Sequence, residues 1–491
     1  MAILLKFLHQ VPSLLVILWL LSSSCSAKET GEGQQYPPSS HIVSISSLLP
    51  YTVCNRSSKV SSIGSLELVH KYGPCSELNK QGETTSTPSL SEILHEDQAR
   101  VDSINSRRRR SMMKSDTNQE LIRKTKLPFG YDVSIGTGNF YVKVDIGTPR
   151  QSVYVVLDTG SDITWIQCKP CSVKCFKQVG PIFNPSKSSS YSTFPCDSSR
   201  CNMLSSSSPP HEQLCKLEEC AYSSLYGDGS YTNGLFVEDK LTFTSANHKS
   251  KEIDYLFGCG HNNSAVGSIG VGIMGLSRAL TSFVYQTDTL FKKYFSYCLP
   301  SDYSSTGYII FGKTNNNHIK FTPIPTTPQQ SQFYDVVITG ISVAGKKLPI
   351  KSSVFGKRGR GAIVDSGTVI TRLQPEAYAA LRSAFRKEMS HYHYKMASPV
   401  KFLDTCYDLS SHKTVEIPKV SFFFKGGVEL ELDVKGTVVP ATDSGHVVCF
   451  AFAPNGGNAA GAILGNIMQR TVQVVYDVEG RRVGFGPAAC T

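Results

Sequence analysis

Twice in one chain, a run of apolar strand formers ends abruptly in an acid, a small hydroxyl residue and a glycine. The first copy is Val153-Tyr154-Val155-Val156-Leu157-Asp158-Thr159-Gly160-Ser161 and the second is Ala362-Ile363-Val364-Asp365-Ser366-Gly367-Thr368. A carboxylate at the end of an apolar strand is costly to bury unless donors reach it. Thr159 and Ser366 offer hydroxyls, and Gly160 and Gly367 let the backbone fold close. Each turn can therefore direct N–H groups at its own acid or at the opposite loop. One copy alone would read as a strand followed by an ordinary Asp-x-Gly turn. Average residue usage produces two such motifs by accident in only about one chain in a thousand of this length, so the pair predicts two acids brought together.

At 491 residues the chain exceeds one ordinary core, and two or more domains with appended segments are expected. Hydrophobic content of 40% with 18% charge excludes a disordered chain. The 39 glycines and 25 prolines, set among short Val, Ile, Phe and Tyr runs, predict an all-β class. The strand pattern is interrupted around Lys320 to Ser331 by Pro323, Pro325 and Pro328, and each side of that break opens alike. Phe140-Tyr141-Val142-Lys143-Val144-Asp145-Ile146-Gly147 is echoed by Phe333-Tyr334-Asp335-Val336-Val337-Ile338-Thr339-Gly340. Ile273-Met274-Gly275-Leu276 is likewise echoed by Ile463-Leu464-Gly465-Asn466. Such recurrence predicts two structural copies whose acids meet across an interface. Helical spacing is best from Thr281 to Lys293 and from Pro375 to Met389, the latter with a proline near its first turn.

The N-terminal quarter has a different composition. Residues 1–27 carry one early Lys6, an apolar stretch from Val11 to Leu21 and small residues through Ala27, the pattern of a secretory signal peptide. A membrane anchor is the rival reading, but the apolar run is too short to span comfortably, so no membrane anchor is expected. Residues 28–126 turn to Ser, Thr, Glu, Lys and Arg, with a helical piece at Ser91 to Asp97 and the run Arg107-Arg108-Arg109-Arg110. This reads as a removable pro-segment, the run serving as a processing site or a solvated linker. Its cations could also occupy a cleft floored by carboxylates. Nucleic-acid binding by the arginine run is the weaker alternative.

Of 15 cysteines, Cys25 falls in the signal and Cys54 and Cys75 in the pro-segment. The remaining set is Cys168, Cys171, Cys175, Cys196, Cys201, Cys215, Cys220, Cys259, Cys298, Cys406, Cys449 and Cys490, an even number that suggests six bridges in an oxidising compartment. Cys168-x2-Cys171-x3-Cys175 has metal-like or redox-like spacing, but behind a signal peptide staples on a Ser-rich loop are the better reading. Asn55-Arg56-Ser57 and Asn262-Asn263-Ser264 are glycosylation candidates at Asn55 and Asn262.

With these motifs in place, residues 138 to 491 resemble the pepsin-like aspartic proteases. The Cys-rich stretch after the first Asp loop resembles the nepenthesin-type plant group. The resemblance implies a bilobal all-β fold of two orthogonally packed β-barrel lobes with a central cleft. The lobes would be 127–320, with the Cys-rich insertion, and 333–491, joined by a linker at 321–332. It implies catalytic roles for Asp158 and Asp365, with Gly160, Ser161, Gly367 and Thr368 completing their loops. It further implies a flap tyrosine at Tyr226 in Tyr226-Gly227-Asp228-Gly229-Ser230, and a bracing tryptophan at Trp165. The implied bridges are Cys168–Cys171, Cys175–Cys259, Cys196–Cys220, Cys201–Cys215, Cys298–Cys490 and Cys406–Cys449.

The chemistry of the residues leads the same way. Two carboxylates about 3 Å apart cannot both ionise, so one serves as base and the other as acid. The pair can activate a water against a peptide carbonyl with no covalent intermediate, cofactor or metal. A tyrosine on a Gly-flanked turn has the makings of a lid. The expected protein is a monomeric secreted endopeptidase made as a zymogen. Its cleft would take a protein or peptide substrate, with its own pro-segment as intramolecular inhibitor. The extracellular space (apoplast) is the expected destination, with vacuole or plastid as alternatives. From Leu127 onward there are 35 Lys and Arg against 28 Asp and Glu. That basic balance keeps a nucleic-acid-associated protein as one competing reading, while a catalytically silent binding protein or inhibitor on the same scaffold is the other.

Overall fold

Among the described residues strands outnumber helices, and the computed structural model arranges them around the two Asp loops. It describes residues 39–490 except 50–51, 57–61, 80–87, 114–139, 179, 206–213, 227–229, 245–248, 265–271, 315, 327–330, 357–360, 443, 457–460 and 488–489. The expected signal peptide at 1–27 lies outside the described residues. Among the described residues, no helix is long and apolar enough to cross a membrane.

The first Asp is delivered by an antiparallel hairpin, Phe140–Ile146 against Gln151–Asp158, whose Val142, Val144, Val153 and Val155 turn inward to the core. This hairpin belongs to a 14-stranded sheet that carries the first half of the molecule. Strands Val472–Asp477 and Arg482–Pro487, from the far end of the chain, close that sheet against Tyr294–Cys298. The second half adds sheets of five, four and four strands. One apolar core runs through both halves, from Val155 and Phe257 through Tyr334 and Val364 to Phe422 and Phe485. The all-β bilobal class expected from the sequence holds. The boundary shifts, because Lys320–Pro323 is an edge strand paired with Arg482–Pro487, so the linker expected from 321 opens inside the sheet. Pro323 is tolerated there because an edge strand has one row of unpaired amides.

Two helices stand out among the strands. The helix we call α1 spans Leu90–Met113, much longer than the short piece expected at Ser91 to Asp97. It opens with a reciprocal cap. Glu92 N–H donates to Ser89 Oγ, while Ser89 N–H and Oγ both donate to Glu92 Oε2 at 2.8 Å. Helix α2, Pro375–Ser390, has proline in its first turn and buries Ala377, Tyr378, Leu381, Phe385 and Met389 at helical spacing. The helix expected over Thr281 to Lys293 is instead two single turns, Phe283–Gln286 and Asp288–Phe291. Thr287 between them leaves helical geometry, and Lys292 ends the second turn in a left-handed conformation.

The segment before residue 126 is woven into the molecule. Ser65–His70 lies inside the large sheet, paired with Thr306–Phe311 on one side and Phe140–Ile146 on the other. Ser40–Ser44 pairs with Thr414–Pro418 in the second half.

The implied disulfide pattern is right for Cys298–Cys490 and Cys406–Cys449 and wrong for the other four bridges. The observed pairs are Cys168–Cys259, Cys171–Cys175, Cys196–Cys215 and Cys201–Cys220, with a further bridge at Cys54–Cys75. Strand register explains the first correction. Trp165–Gln167 runs parallel to the strand carrying Cys259, with Ile166 opposite Cys259, so Cys168 arrives beside it and Cys171 is left to close a short loop with Cys175. Cys215 and Cys220 sit opposite each other on a hairpin. Cys196 N–H donates to Glu218 O at the turn end of that hairpin, and its sulfur bridges Cys215 while Cys201 takes Cys220. With Cys168, Cys171 and Cys175 all in disulfides, their sulfurs are not free thiolates for a metal.

Candidate active site

Each Asp loop is held by its own half and by the other. Asp158 ends a strand that runs parallel to Gly272–Gly275, and Asp365 follows a strand that runs parallel to Ala462–Leu464. The echoed glycines mark where loop passes strand. A Cβ at Gly275 would collide with the Ile163 backbone, and one at Gly465 with the backbone of Val369. Across the interface, Thr159 N–H donates to Ser366 Oγ at 3.1 Å and Ser366 N–H donates to Thr159 Oγ1 at 2.9 Å. Thr159 Oγ1 donates on to Val364 O and Ser366 Oγ to Leu157 O, so each loop is anchored to the strand that delivers the other. Within its own loop, Asp158 accepts from Gly160 N–H at 2.9 Å and from Ser161 Oγ. Asp365 accepts from Thr368 Oγ1 at 2.5 Å. Both carboxylates are nearly inaccessible, at 2% and 1% exposure. The duplicated grammar therefore does bring the two acids together.

Between them lies a side chain that no motif pointed to. Arg100, from the middle of α1, donates through Nη1 and Nη2 to both oxygens of Asp158 at 2.7 and 2.6 Å. Its Nη2 also donates to Asp365 Oδ1 at 2.9 Å and its Nε to Oδ2 at 3.3 Å. One nitrogen bonding both acids puts their nearest oxygens no farther apart than those two short distances combined. Gly160 and Gly367 make the room, since a Cβ on either would strike Arg100 Nη2. Burial would raise the Asp158 pKa. The charge and hydrogen bonds of Arg100, with those of Ser161 and Gly160, outweigh it and hold the carboxyl below the usual range.

Helix α1 lies in the cleft along its length. Leu94 packs with Val369, Ile370 and Leu403, and Val101 and Ile104 pack with Phe333, Ile363 and Ile463. The polar residues of the same face find partners as well. Asp97 Oδ1 accepts from Val369 N–H at 2.6 Å, and its Oδ2 accepts from Arg372 at 2.8 Å and from Ile370 N–H at 3.3 Å. Arg107 donates to Gly160 O at 2.6 Å, stands 3.6 Å from Asp162 and stacks over Phe333. Arg108 donates to Gly361 O at 3.2 Å and stands 3.6 Å from Asp335. Desolvation pushes the Arg107 pKa down and the Asp162 pKa up. The first two arginines of the run are thus no solvated linker, since Arg107 is buried against Gly160 and Arg108 against Gly361, while Arg109 is exposed.

Tyr226 and Trp165 are both buried, with ring centroids 6.3 Å apart and planes tilted by 46°. Tyr226 N–H donates to Ser230 O at 2.7 Å, and residues 227–229 between them lie outside the described residues. Asn55 is exposed, and Asn262 is half-buried within reach of the Tyr231 hydroxyl. Asp97, Arg100, Asp162, Asp335 and Arg372 were all missed by sequence reasoning. The available signal was a capping sequence at Ser89 to Glu92 followed by charges at helical spacing.

Comparison with known proteins places this geometry in context. The family models described as xylanase inhibitor N-terminal and xylanase inhibitor C-terminal match residues 140–313 and 333–487. An aspartyl protease family protein of Arabidopsis thaliana is 44% identical over 463 residues, covering 93% of this chain and 94% of its own. Aspartyl protease AED1 of the same plant is 39% identical over the full length of both chains. Aspartic proteinase nepenthesin-1 of Nepenthes gracilis is 35% identical, covering 74% of this chain and 81% of its own. Among solved structures, basic 7S globulin from soybean superposes with a TM-score of 0.56 at 21% identity, over 71% of this chain and 93% of its own.

Proposed function

The chain belongs to the plant branch of the pepsin-like aspartic proteases that includes the nepenthesins, and from that premise we propose that it is a secreted endopeptidase held as a zymogen by its own α1. The observation that carries this reading is the Arg100 guanidinium between Asp158 and Asp365. While it is there, neither a water nor a peptide carbonyl can reach the two acids. Once α1 leaves, two buried carboxylates this close share a proton, because both cannot stay charged without a cation. The charged member takes a proton from a water, the water attacks the peptide carbonyl, and the protonated member donates to the developing oxyanion; the resulting diol then collapses, its C–N bond breaks, and the proton taken from the water passes to the leaving nitrogen. The pair titrates as a unit, and no order is assigned between Asp158 and Asp365.

Because the matched family models bear an inhibitor's name, a silent binding protein on this scaffold is the second reading. One assay separates the two. The acid-treated full-length protein is incubated with a denatured protein at pH about 3 to 6, with and without a statine-type inhibitor, beside Asp158→Asn and Asp365→Asn. Inhibitor-sensitive cleavage, lost by at least about a hundredfold in each variant, is expected. Cleavage that survives either substitution would refute the dyad. No cleavage by the intact protein would favour the silent scaffold.

A further inference from the structure

Resting on the peptidase reading, we infer that the cleft contains a carboxylate-recognition subsite, built by Arg372 with the N–H groups of Val369 and Ile370, that selects an acidic side chain on the substrate. In the structure this subsite is filled by Asp97 of α1. The two consecutive amides and the guanidinium converge on its two oxygens at 2.6 to 3.3 Å, and Asp97 is fully buried. Consecutive N–H groups aimed at one anion form a concave donor set, and an arginine beside it fixes the charge. Arg372 is itself held in place, because its guanidinium lies 3.8 Å over the ring of Phe402. Its other terminal nitrogen donates to Gln98 Oε1 at 3.0 Å, again a residue of α1.

When α1 departs, the Asp97 and Gln98 oxygens depart with it. A guanidinium and two amides then line the cleft without the carboxylate that satisfied them, and a substrate Asp or Glu restores that bonding. Position follows from the chain. Val369 and Ile370 come directly after the Asp365 loop, and Asp97 precedes Arg100 by about 4.5 Å of helix rise. An extended peptide advances roughly 3.3 Å per residue. The selected acid therefore sits one to two residues from the scissile bond, on one side only.

The test uses acid-activated full-length protein and a set of neutral peptides, into which Asp or Asn is placed at each position flanking the scissile bond. At pH about 5.5, where a free Asp is ionised, we expect kcat/KM to favour Asp over Asn by about tenfold or more at one position. That ratio falls towards unity as pH drops below about 3.9 and the substrate acid takes up its proton. In Arg372→Gln the ratio collapses towards unity at every pH, whatever the absolute rate. If wild-type protein cleaves the peptides with no Asp preference at any position, the subsite is overturned and the peptidase reading stands. If it cleaves none of them, the peptidase reading itself is overturned and takes the subsite with it. The wild-type comparison decides even if the variant does not fold.

Discussion

A single guanidinium bridges the two acids, and its removal has a predictable sign. Asp158 has its pKa lowered in the docked form, so docking is favoured above the ordinary carboxylate range and weakens as pH falls through the lowered value. On the proposed zymogen reading, Arg100 would thereby tie release of α1 to acidity. Arg100→Gln deletes the cation while leaving two buried carboxylates face to face, which disfavours docking at every pH where they would ionise. The pH at which full-length protein becomes proteolytic should rise by about one unit or more in this variant. That is read by following cleavage of a quenched peptide after stepwise acidification, and an unchanged midpoint would remove Arg100 from control. The acids themselves were legible from Asp158-Thr159-Gly160 and Asp365-Ser366-Gly367, because a costly buried charge leaves its supporting donors next to it in the chain. Arg100 was not, since its partners lie 58 and 265 residues away.

The same contrast holds for whole elements. Helix α2 could be read in advance because its buried face is apolar at regular spacing. Only a short stretch of α1 was legible, since its buried face carries Asp97, Arg100, Arg107 and Arg108 where a core helix would carry leucines. Those charges look like a solvated surface until the cleft they fill is known. The two-turn break at Thr287 and the edge strand at Lys320–Pro323 depend on tertiary contacts that local spacing does not encode. The placement of α1 makes a second prediction. At neutral pH the bonds after Arg107 and Arg108 should resist trypsin, because both side chains are buried against Gly160 and Gly361. Asp97→Asn removes charge-assisted hydrogen bonds worth about 1.5–3 kcal/mol. Cleavage at those two sites, timed by mass spectrometry, should accelerate by about tenfold or more. Equal cleavage of wild type and variant would mean that Asp97 does not anchor the helix.

At the scale of the molecule, the two halves are joined by shared strands and by a core that ignores the boundary between them. The bilobal architecture was readable from the internal echo. The cysteine pairing was not, because bridges follow strand register: Cys168 meets Cys259 only once Ile166 lies beside it. Cys54–Cys75 closes a loop around the strand Ser65–His70 and adds a covalent brace to the segment expected to be discarded. Replacing both cysteines with serine should lower the melting temperature of the full-length protein by several degrees, as loss of a bridge worth about 2–4 kcal/mol implies. Calorimetry at neutral pH checks this, and an unaltered transition would show that the brace is dispensable.

Ser65–His70 occupies a slot between Thr306–Phe311 and Phe140–Ile146, in the interior of the largest sheet. A chain that has lost this strand keeps its shape through a barrier to unfolding, with no template left for rebuilding the ladder. On the proposed zymogen reading, maturation would then be a one-way step. Denatured full-length protein should recover its native form on dilution, whereas the processed form, once unfolded, should stay inactive unless the missing strand is supplied again as a separate peptide.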